Sequence, residues 1–253
     1  MKIVVTVKQV PDPNAAPSLD ADNTVSRDRE VVLDSGDECG IEIALQLKEA
    51  HGGEVVLASM GPAGARDAIR KGLSMGADRG ILVTDDELAG ADALLTAQVL
   101  AAAIQPEEPD LVITATESYD GSTGVIPPML AELLGVPQLT FATALEARDG
   151  AITVHRQTAD GYQVVDASTP ALVSVTAGIA EPRYASLKGI MAARSKEVRQ
   201  LSLGDLGVVP GPAAEDVLSV EDAEARAAGE IVEDDGTTGV DRIVAVLVAA
   251  KVI

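Results

Sequence analysis

Residues 120–124, with the sequence Asp-Gly-Ser-Thr-Gly, have the composition of a phosphate-binding loop. The glycines allow a close approach of the backbone to a ligand, and the hydroxyls of Ser122 and Thr123 can donate to phosphate oxygens. The free backbone amides of Val125 and Ile126, at the start of a predicted helix, also favour an anion. The same composition fits an ordinary glycine-rich turn, so both interpretations stay open on these residues alone.

Other chemical motifs are missing from the sequence. It contains neither the Walker phosphate-binding pattern nor the Rossmann glycine fingerprint, which argues against an ordinary NTPase or nicotinamide enzyme. The two histidines, His51 and His155, are interpreted as surface residues rather than as an acid, a base or a metal ligand. The single Cys39 excludes an internal disulfide and a cysteine metal cluster. We therefore expect no catalytic residue and no metal site.

Composition and charge narrow the function classes further. The formal net charge of -21 argues against binding to nucleic acid or to an anionic membrane surface. With no signal-like start and no apolar run of membrane-spanning length, the sequence predicts a cytoplasmic protein without stable membrane insertion. Aromatic residues are only 2% of the chain, so the core must be aliphatic, which favours α/β layers.

The elements that must position the loop alternate between strands and helices. This alternation predicts an α/β fold with a Rossmann-like, doubly wound, mainly parallel sheet. An antiparallel β excursion is expected over 146–168, followed by a strand-like run over 171–176. The predicted strands are 2–8, 54–60, 79–84, 110–116 and 139–144, and the predicted helices are 35–50, capped by Ser35, 65–75, 91–104 and 126–134.

The strand order of such a fold predicts where the loop lies. In a sheet ordered 3-2-1-4-5, the first and fourth strands are neighbours at the point where the winding reverses. The loop after Lys8 and the loop at 120–124 would then flank one crevice at the carboxyl ends of the strands. This crevice has the size of a nucleotide site.

The organisation loosens beyond Leu201, so we divide the chain into domains at 1–200 and 201–253. Residues 215–241 hold ten acidic residues and one basic residue, Arg226, which is typical of a solvated, extended arm. Residues 242–253 regain an apolar pattern and are expected to form a helix or a strand. This apolar end could pack on its own domain or on a partner subunit.

Residues 181–191, here called the docking segment, place apolar side chains among cations. Between Glu181 and Arg199 there are five basic and two acidic residues, in a chain that is otherwise acidic. One interpretation is a surface that docks on a partner. The other is an amphipathic helix, capped by Ser186, with Leu187, Ile190 and Met191 facing the core.

Five segments, in this order and spacing, make the sequence similar to electron transfer flavoprotein beta subunits. The resemblance covers almost the whole chain. The segments are 5–12 (Val-Thr-Val-Lys-Gln-Val-Pro-Asp), 68–78 (Ala-Ile-Arg-Lys-Gly-Leu-Ser-Met-Gly-Ala-Asp), the loop at 120 with 131–137, the docking segment, and the apolar ending at 247–253.

The resemblance implies an adenine nucleotide alpha hydrolase-like fold and a heterodimer. In that heterodimer the alpha subunit holds most of an FAD, and the beta subunit, itself no enzyme, buries an AMP with a structural role. Residues 1–200 would be the AMP-binding domain, and residues 201–253 would pack on the alpha subunit. The positions that match the AMP site are Thr6, Val7, Asp34, Ser35, Gly36, Asp37, Met60, Asp120, Gly121, Ser122, Thr123, Gly124, Val125 and Ile126.

The resemblance also implies redox partners. The docking anchor of the family matches Leu187, which would insert into an apolar pocket of an acyl-CoA dehydrogenase, with Tyr184, Ile190 and Met191 beside it. Electrons would pass on to a flavoprotein-quinone oxidoreductase or the respiratory chain. Two departures from the family pattern concern the flavin. Gln157 follows Arg156 where many relatives have an acidic residue, and Pro13 and Gly36 stand where some beta subunits carry aromatic residues.

Two alternative functions belong to other classes. In electron-bifurcating relatives a second FAD occupies the AMP site, although residues 122–127 of this chain look closer to the AMP type. A stand-alone nucleotide-binding module of the universal stress protein type would need no redox partner. The C-terminal arm and the docking segment argue against that module.

Overall fold

The computed structural model describes two compact units, Met1–Leu218 and Ser219–Ile253. The described residues are 1–15, 18–20, 23–148, 150–215, 217–221, 229, 231–233 and 236–253. The first unit continues past residue 200, where the sequence analysis divides the chain, because the segment after that point still pairs with the sheet and contributes the buried Leu203.

The strands of the first unit form a nine-stranded sheet at its centre and a separate two-stranded ribbon. The strands are β1 (Lys2–Thr6), β2 (Gln9–Pro11), β3 (Val31–Leu33), β4 (Glu54–Met60), β5 (Arg79–Val83), β6 (Leu111–Ala115), β7 (Gln138–Arg148), β8 (Ala151–Thr158), β9 (Gly161–Ser168), β10 (Ala171–Val175) and β11 (Val198–Leu201). The order in the nine-stranded sheet is β11-β5-β4-β1-β6-β10-β7-β8-β9, and β2 and β3 form the antiparallel ribbon. The sheet is parallel from β11 to β7 and antiparallel from β7 to β9.

Helices cover both faces of this sheet, which confirms the doubly wound α/β fold. The helices are α1 (Ser35–His51), α2 (Arg66–Met75), α3 (Ala93–Ile104), α4 (Ile126–Leu134), α5 (Leu187–Ala193), α6 (Leu203–Leu206) and α7 (Thr238–Ala249). One aliphatic core cluster lies between the sheet and α1 and α2, and a second lies between the sheet and α3 and α4. Alternate residues of β1, β4, β5, β6 and β10 enter the two clusters, as expected for strands buried on both faces.

The local signals set most helix ends correctly, with one correction at α1. The predicted cap, Ser35, is the first helical residue, and the cap is Asp34, whose Oδ1 accepts a hydrogen bond from the Gly36 amide at 2.9 Å. A carboxylate suits this position because it also interacts favourably with the positive end of the helix dipole. Gly52 follows the last residue of α1 and Gly76 the last residue of α2, and both helices end there, within one residue of the predicted ends.

The predicted strand order is wrong at one position. Strand β10, not the predicted fifth strand at 139–144, lies beside β6, and β7 follows it. The reason is burial: all five residues of β10 are buried, so it fits the middle of the sheet, whereas β7 alternates buried and exposed residues. The sequence analysis also missed β11 and the β2–β3 ribbon, which are short. The antiparallel excursion is confirmed as the β7–β8–β9 meander.

The second unit contains α7, which settles the predicted choice between helix and strand over 242–253 in favour of a helix. None of the residues of α7 is buried. The predicted acidic arm over 215–241 falls in large part on residues 216, 222–228, 230, 234 and 235, which lie outside the described residues, as does Arg226. In the described parts of both units, every helix is too short or too polar to cross a membrane.

Candidate functional site

The carboxyl ends of β1 and β6, between which the sequence predicts a crevice, lie side by side. These strands are direct neighbours in parallel register, with Ile3, Val4 and Val5 opposite Leu111, Val112 and Ile113. The segment after β1 and the loop after β6 therefore leave the sheet side by side. This confirms the predicted adjacency of the first and fourth strands.

Asp120 fastens the loop after β6 to the rest of the site. Its Oδ1 accepts a hydrogen bond from Lys8 Nζ at 2.6 Å, and its Oδ2 accepts one from Arg27 Nη2 at 2.7 Å. Lys8 Nζ also donates to Ser118 Oγ at 3.2 Å. The Asp120 side chain is only 4% exposed, so it positions the loop and the two cations rather than presenting an open carboxylate.

The electrostatics of this cluster favour an anion nearby. Burial favours the neutral form of Asp120, but the positive charge and hydrogen bond of Lys8, with Ser118 and Arg27, hold its pKa below the usual range. The carboxylate is therefore charged at neutral pH and is paired with two cations. Lys8 and Arg27 remain partly exposed, with 39% and 31% of their side chains accessible. Together the three groups carry a net positive charge.

The start of α1 is tied to the same loop by two buried carboxylates. Asp34 Oδ2 accepts a hydrogen bond from the Tyr119 amide at 2.7 Å, while its Oδ1 caps α1. Asp37 Oδ2 accepts from the Lys8 amide at 2.7 Å. Burial, with the nearby Asp34 charge, raises the pKa of Asp37 well above its usual range. Both carboxylates hold backbone amides, so they fix the relative positions of β1, α1 and the loop.

The loop has the backbone conformation that its composition suggests. Gly124 has a φ of +64°, in the left-handed region that favours glycine, and Ser122 also has a positive φ of +47°. Such conformations in a non-glycine residue carry a small strain, which persists only when the surroundings fix the chain. The Ser122 amide donates to the Ser118 carbonyl at 2.9 Å, and this closes the turn.

The amino end of α4 opens directly from this loop. No side chain caps the helix at Val125, and the first backbone hydrogen bond at this end runs from the Met129 amide to the Val125 carbonyl at 3.2 Å. Pro127 and Pro128 lack amide hydrogens, so the amides of Val125 and Ile126 are the donors available at this end. Free amides at the amino end of a helix suit a phosphate.

The other predicted nucleotide contacts lie at the same edge of the sheet. Thr6 is the last residue of β1, and the buried Val7 follows it, with its amide bound to the Ala58 carbonyl at 2.8 Å. Met60 ends β4 and is partly buried. Ser35 is exposed, and Gly36 packs so closely that an added Cβ would lie 3.1 Å from the Ala115 Cβ. The structure thus brings all the predicted positions to one end of three neighbouring elements.

Sequence reasoning missed four residues of this site, namely Lys8, Arg27, Ser118 and Tyr119. Lys8 and Arg27 lie 112 and 93 positions from Asp120 along the chain, so no local motif joins them. The available signal was the order of the strands, which already placed the segment after Lys8 against the loop. Arg27 lies in an irregular segment and carried no signal of its own.

The docking segment presents its apolar side chains to the outside. The exposed fractions are 93% for Tyr184, 78% for Leu187, 58% for Met191 and 44% for Ile190. Ser186 caps α5 as predicted, accepting a hydrogen bond from the Gly189 amide at 3.0 Å. The alternative in which Leu187, Ile190 and Met191 face the core is therefore wrong.

Comparison with known proteins decides the family. The model of the electron transfer flavoprotein domain matches residues 22–206. The beta subunit of the electron transfer flavoprotein of Mycobacterium leprae is 42% identical over 99% of both chains. The corresponding subunit of Bradyrhizobium diazoefficiens is 38% identical over 92% of this chain and 94% of its own length, and that of Megasphaera elsdenii is 33% identical over the full length of both. The chain belongs to the electron transfer flavoprotein beta subunit family.

Membership in this family implies a role in flavin-linked electron transfer and an alpha subunit as partner. It also overturns the alternative of a stand-alone module of the universal stress protein type.

Proposed function

We propose that this chain is the AMP-binding beta subunit of a cytoplasmic heterodimeric electron transfer flavoprotein. The alpha subunit would hold most of the FAD, which supplies the redox chemistry, so the chain alone is not an enzyme. The complex would accept electrons from acyl-CoA dehydrogenases and pass them to a flavoprotein-quinone oxidoreductase or the respiratory chain.

The observation that carries the AMP assignment is the fixed loop at the amino end of α4. Asp120, paired with Lys8 and Arg27, holds the loop so that the amides of Val125 and Ile126 are available to a phosphate. A phosphate that replaces solvent there gains charge-assisted hydrogen bonds from groups that are already ordered. Thr6, Val7, Met60 and residues 34–37 would border the nucleoside.

The proposed ligand is tested by weighing the cofactors released when the co-purified heterodimer is denatured. One AMP and one FAD per heterodimer is the expected result. Two FAD and no AMP would contradict the proposal and favour an electron-bifurcating flavoprotein. Neither nucleotide at the beta subunit, with one FAD in the complex, would remove the AMP role altogether.

The docking role rests on the exposure of the apolar side chains in the docking segment. Isolated apolar residues are common on surfaces, but four large ones within eight positions form a patch. Interfaces concentrate their binding energy in a few such side chains. Leu187, at the start of α5, is the proposed anchor.

Leu187→Ala separates an anchor from a structural residue. Because the side chain is exposed, we expect no change in melting temperature or flavin content, and a KM for the flavoprotein raised about tenfold, which corresponds to about 1.4 kcal/mol. The measurement is the rate of flavin reduction by an acyl-CoA dehydrogenase at varied flavoprotein concentration. Leu94→Ala is the control, since it truncates another partly exposed leucine outside the segment. An unchanged KM for Leu187→Ala would refute the docking role.

A further inference from the structure

The docking segment is fastened at its amino end by Arg183. The guanidinium of Arg183 binds both oxygens of Glu42, with Nε–Oε2 at 2.8 Å and Nη2–Oε1 at 3.0 Å. It also binds Glu49, with Nη1–Oε1 at 2.5 Å. The Arg183 amide donates to Glu42 Oε2 as well, at 3.1 Å. Main chain and side chain of this residue are thus both held by helix α1.

This clasp is partly buried. The Glu42 side chain is 6% exposed, and the Arg183 side chain is 32% exposed, whereas Glu49 lies mostly in solvent. Hydrogen bonds from Arg183 are the main cause that lowers the pKa of Glu42, so the carboxylate is charged at neutral pH. Loss of Arg183 would leave the Glu42 carboxylate buried without a partner, and this would cost free energy of folding. The contact therefore favours the conformation in which Arg183 lies against α1.

Lys196 fastens the chain beyond the carboxyl end of α5. Its ammonium donates to the carbonyl of Leu73 at 3.0 Å and to the carbonyl of Ala77. Leu73 lies in the last turn of α2 and Ala77 follows its end, where an ammonium can bind free carbonyls and interact favourably with the helix dipole. The second clasp therefore joins the segment to a different helix from the first.

Between the contacts of Arg183 and those of Lys196, the backbone of α5 packs closely against α2. A Cβ added at Gly189 would collide with the carbonyl oxygen of Ser74 in α2. Ser74 is buried, so this carbonyl has little room to move. Gly189 therefore lets α5 rest directly on α2, while Leu187 and Met191 stay exposed.

We propose that Arg183 and Lys196 are positioning residues that hold the docking segment in its binding conformation before a partner arrives. The inference rests on the docking role proposed above. Neither residue needs to touch the partner; each restricts the chain on one side of Leu187. A segment that is already ordered binds without the entropy cost of ordering, and its loss of order weakens binding without altering electron transfer in the complex.

The fork geometry of Arg183 is central to the first clasp. A guanidinium can bind two oxygens of one carboxylate in a single plane, and here it binds a second carboxylate as well. A lysine at this position keeps the charge but can make only point contacts. Arg183→Lys should therefore restore part of what Arg183→Gln removes, whereas a purely electrostatic role would be restored in full.

The experiment uses the heterodimer with its alpha subunit and FAD. Arg183→Gln alone would leave Glu42 buried without its partner, so the main variant is the pair Glu42→Gln with Arg183→Gln, which removes both charges. Amide hydrogen exchange over 184–192 should become about tenfold faster, and the KM for the flavoprotein with an acyl-CoA dehydrogenase should rise about tenfold at constant kcat. Arg148→Gln, which breaks an exposed pair with Glu146, is the control and should change neither quantity.

The outcomes separate the two proposals. If the pair variant leaves exchange or KM unchanged while Leu187→Ala raises KM, the positioning role is wrong and the docking role stands. If Leu187→Ala also leaves KM unchanged, the docking role itself fails. If Arg183→Lys had the same KM as the parent, the charge of Arg183 alone would be sufficient, and the argument from its two-oxygen contact with Glu42 would be wrong. Lys196→Met tests the second clasp in the same way, with faster exchange at 190–195 as its expected sign.

Discussion

At the scale of single residues, Gly124 is the position where backbone conformation and ligand binding meet. Its φ of +64° is unfavourable for any residue with a Cβ, and Gly135, at the far end of the same helix, has an almost equal φ of +68°. An alanine at either position should destabilise the protein by about 1 to 2 kcal/mol. Only the Gly124 change distorts the chain that leads to the amides of Val125 and Ile126.

We therefore expect Gly124→Ala to lower the AMP content of the purified heterodimer and Gly135→Ala to leave it unchanged. The measurement is AMP released per FAD after denaturation, with both variants at matched loss of melting temperature. Equal AMP content in the two variants would show that the loop conformation does not matter for the nucleotide.

Asp37 predicts a pH dependence of stability. Its pKa in the folded chain is raised, whereas an aspartate in the unfolded chain has a pKa near 3.9, so the folded state binds the proton more tightly. The cost of ionising Asp37 is absent below about pH 4 and grows as the pH rises through the folded pKa. Asp37→Asn removes that cost, so its stability relative to the parent should increase with pH.

The check is the difference in melting temperature between Asp37→Asn and the parent, measured at intervals from pH 4 to pH 8. We expect this difference to move in favour of the variant as the pH rises, because only the parent has to ionise a buried carboxyl group in the folded state. Each 1 kcal/mol of difference corresponds to roughly 2 to 4 °C in a chain of this size. Asp67→Asn removes the same charge from an exposed position and controls for net charge. A difference that moves the other way with pH would mean that Asp37 is stabilised as an anion.

Sequence reasoning could identify the types of these residues but not all of their roles. The family resemblance implied that Asp120 contacts the nucleotide, whereas the structure shows its carboxylate paired with Lys8 and Arg27. Contacts between residues about a hundred positions apart depend on the strand order, and a local motif cannot specify them. For the same reason the partner of Arg183 was not visible: Glu42 lies 141 positions away.

At the scale of elements, local patterns predicted those that are long or strongly apolar. Strands β1, β4, β5 and β6 were predicted correctly because a strand that is buried on both faces is a continuous apolar run in the sequence. Helices α1 to α4 were predicted correctly because their helical periodicity and end signals also lie in consecutive residues. Strand β11 was missed because only four residues form it and none of them is buried. The predicted neighbour of β6 was wrong because packing across the whole sheet, and not a local pattern, determines whether β7 or β10 lies beside β6.

We expect helix α7 to be stable only when a partner covers its apolar side chains. It has 12 residues, among them Val240, Ile243 and Val244, and none is buried. Isolated helices of this length are marginal in water, and apolar side chains in solvent add nothing to their stability. Helix α3 has the same length and is also apolar, but half of its residues are buried in the first unit.

Amide exchange in the two helices should therefore differ in the isolated chain and converge in the heterodimer. We expect α7 to exchange within seconds when the beta subunit is alone and to be protected at least about tenfold when the alpha subunit is bound, whereas α3 is protected in both states. Slow exchange of α7 in the isolated chain would contradict the proposal that this end packs on the partner.

At the scale of the whole molecule, the two units differ in how far their residues are buried. All buried residues among those described lie in the first unit, and the last of them is Leu203. The Ala214 amide still binds Asp92 Oδ2 at 2.7 Å, so the chain keeps a contact with the first unit close to the boundary of that unit at Leu218. A chain that ends there keeps the core, the candidate nucleotide site and the docking segment.

Truncation after Leu218 should therefore leave a folded protein that assembles poorly. We expect its melting temperature to lie within a few degrees of that of the isolated parent beta subunit, because none of the described residues that it loses is buried. Its affinity for the alpha subunit should fall by at least about a hundredfold, which corresponds to about 2.8 kcal/mol and is modest for losing part of an obligate interface. The measurements are thermal unfolding of each isolated chain and co-purification with a tagged alpha subunit. A truncated chain that binds the alpha subunit as tightly as the full-length chain would remove the assembly role from residues 219–253, and one that fails to fold would show that the first unit depends on them.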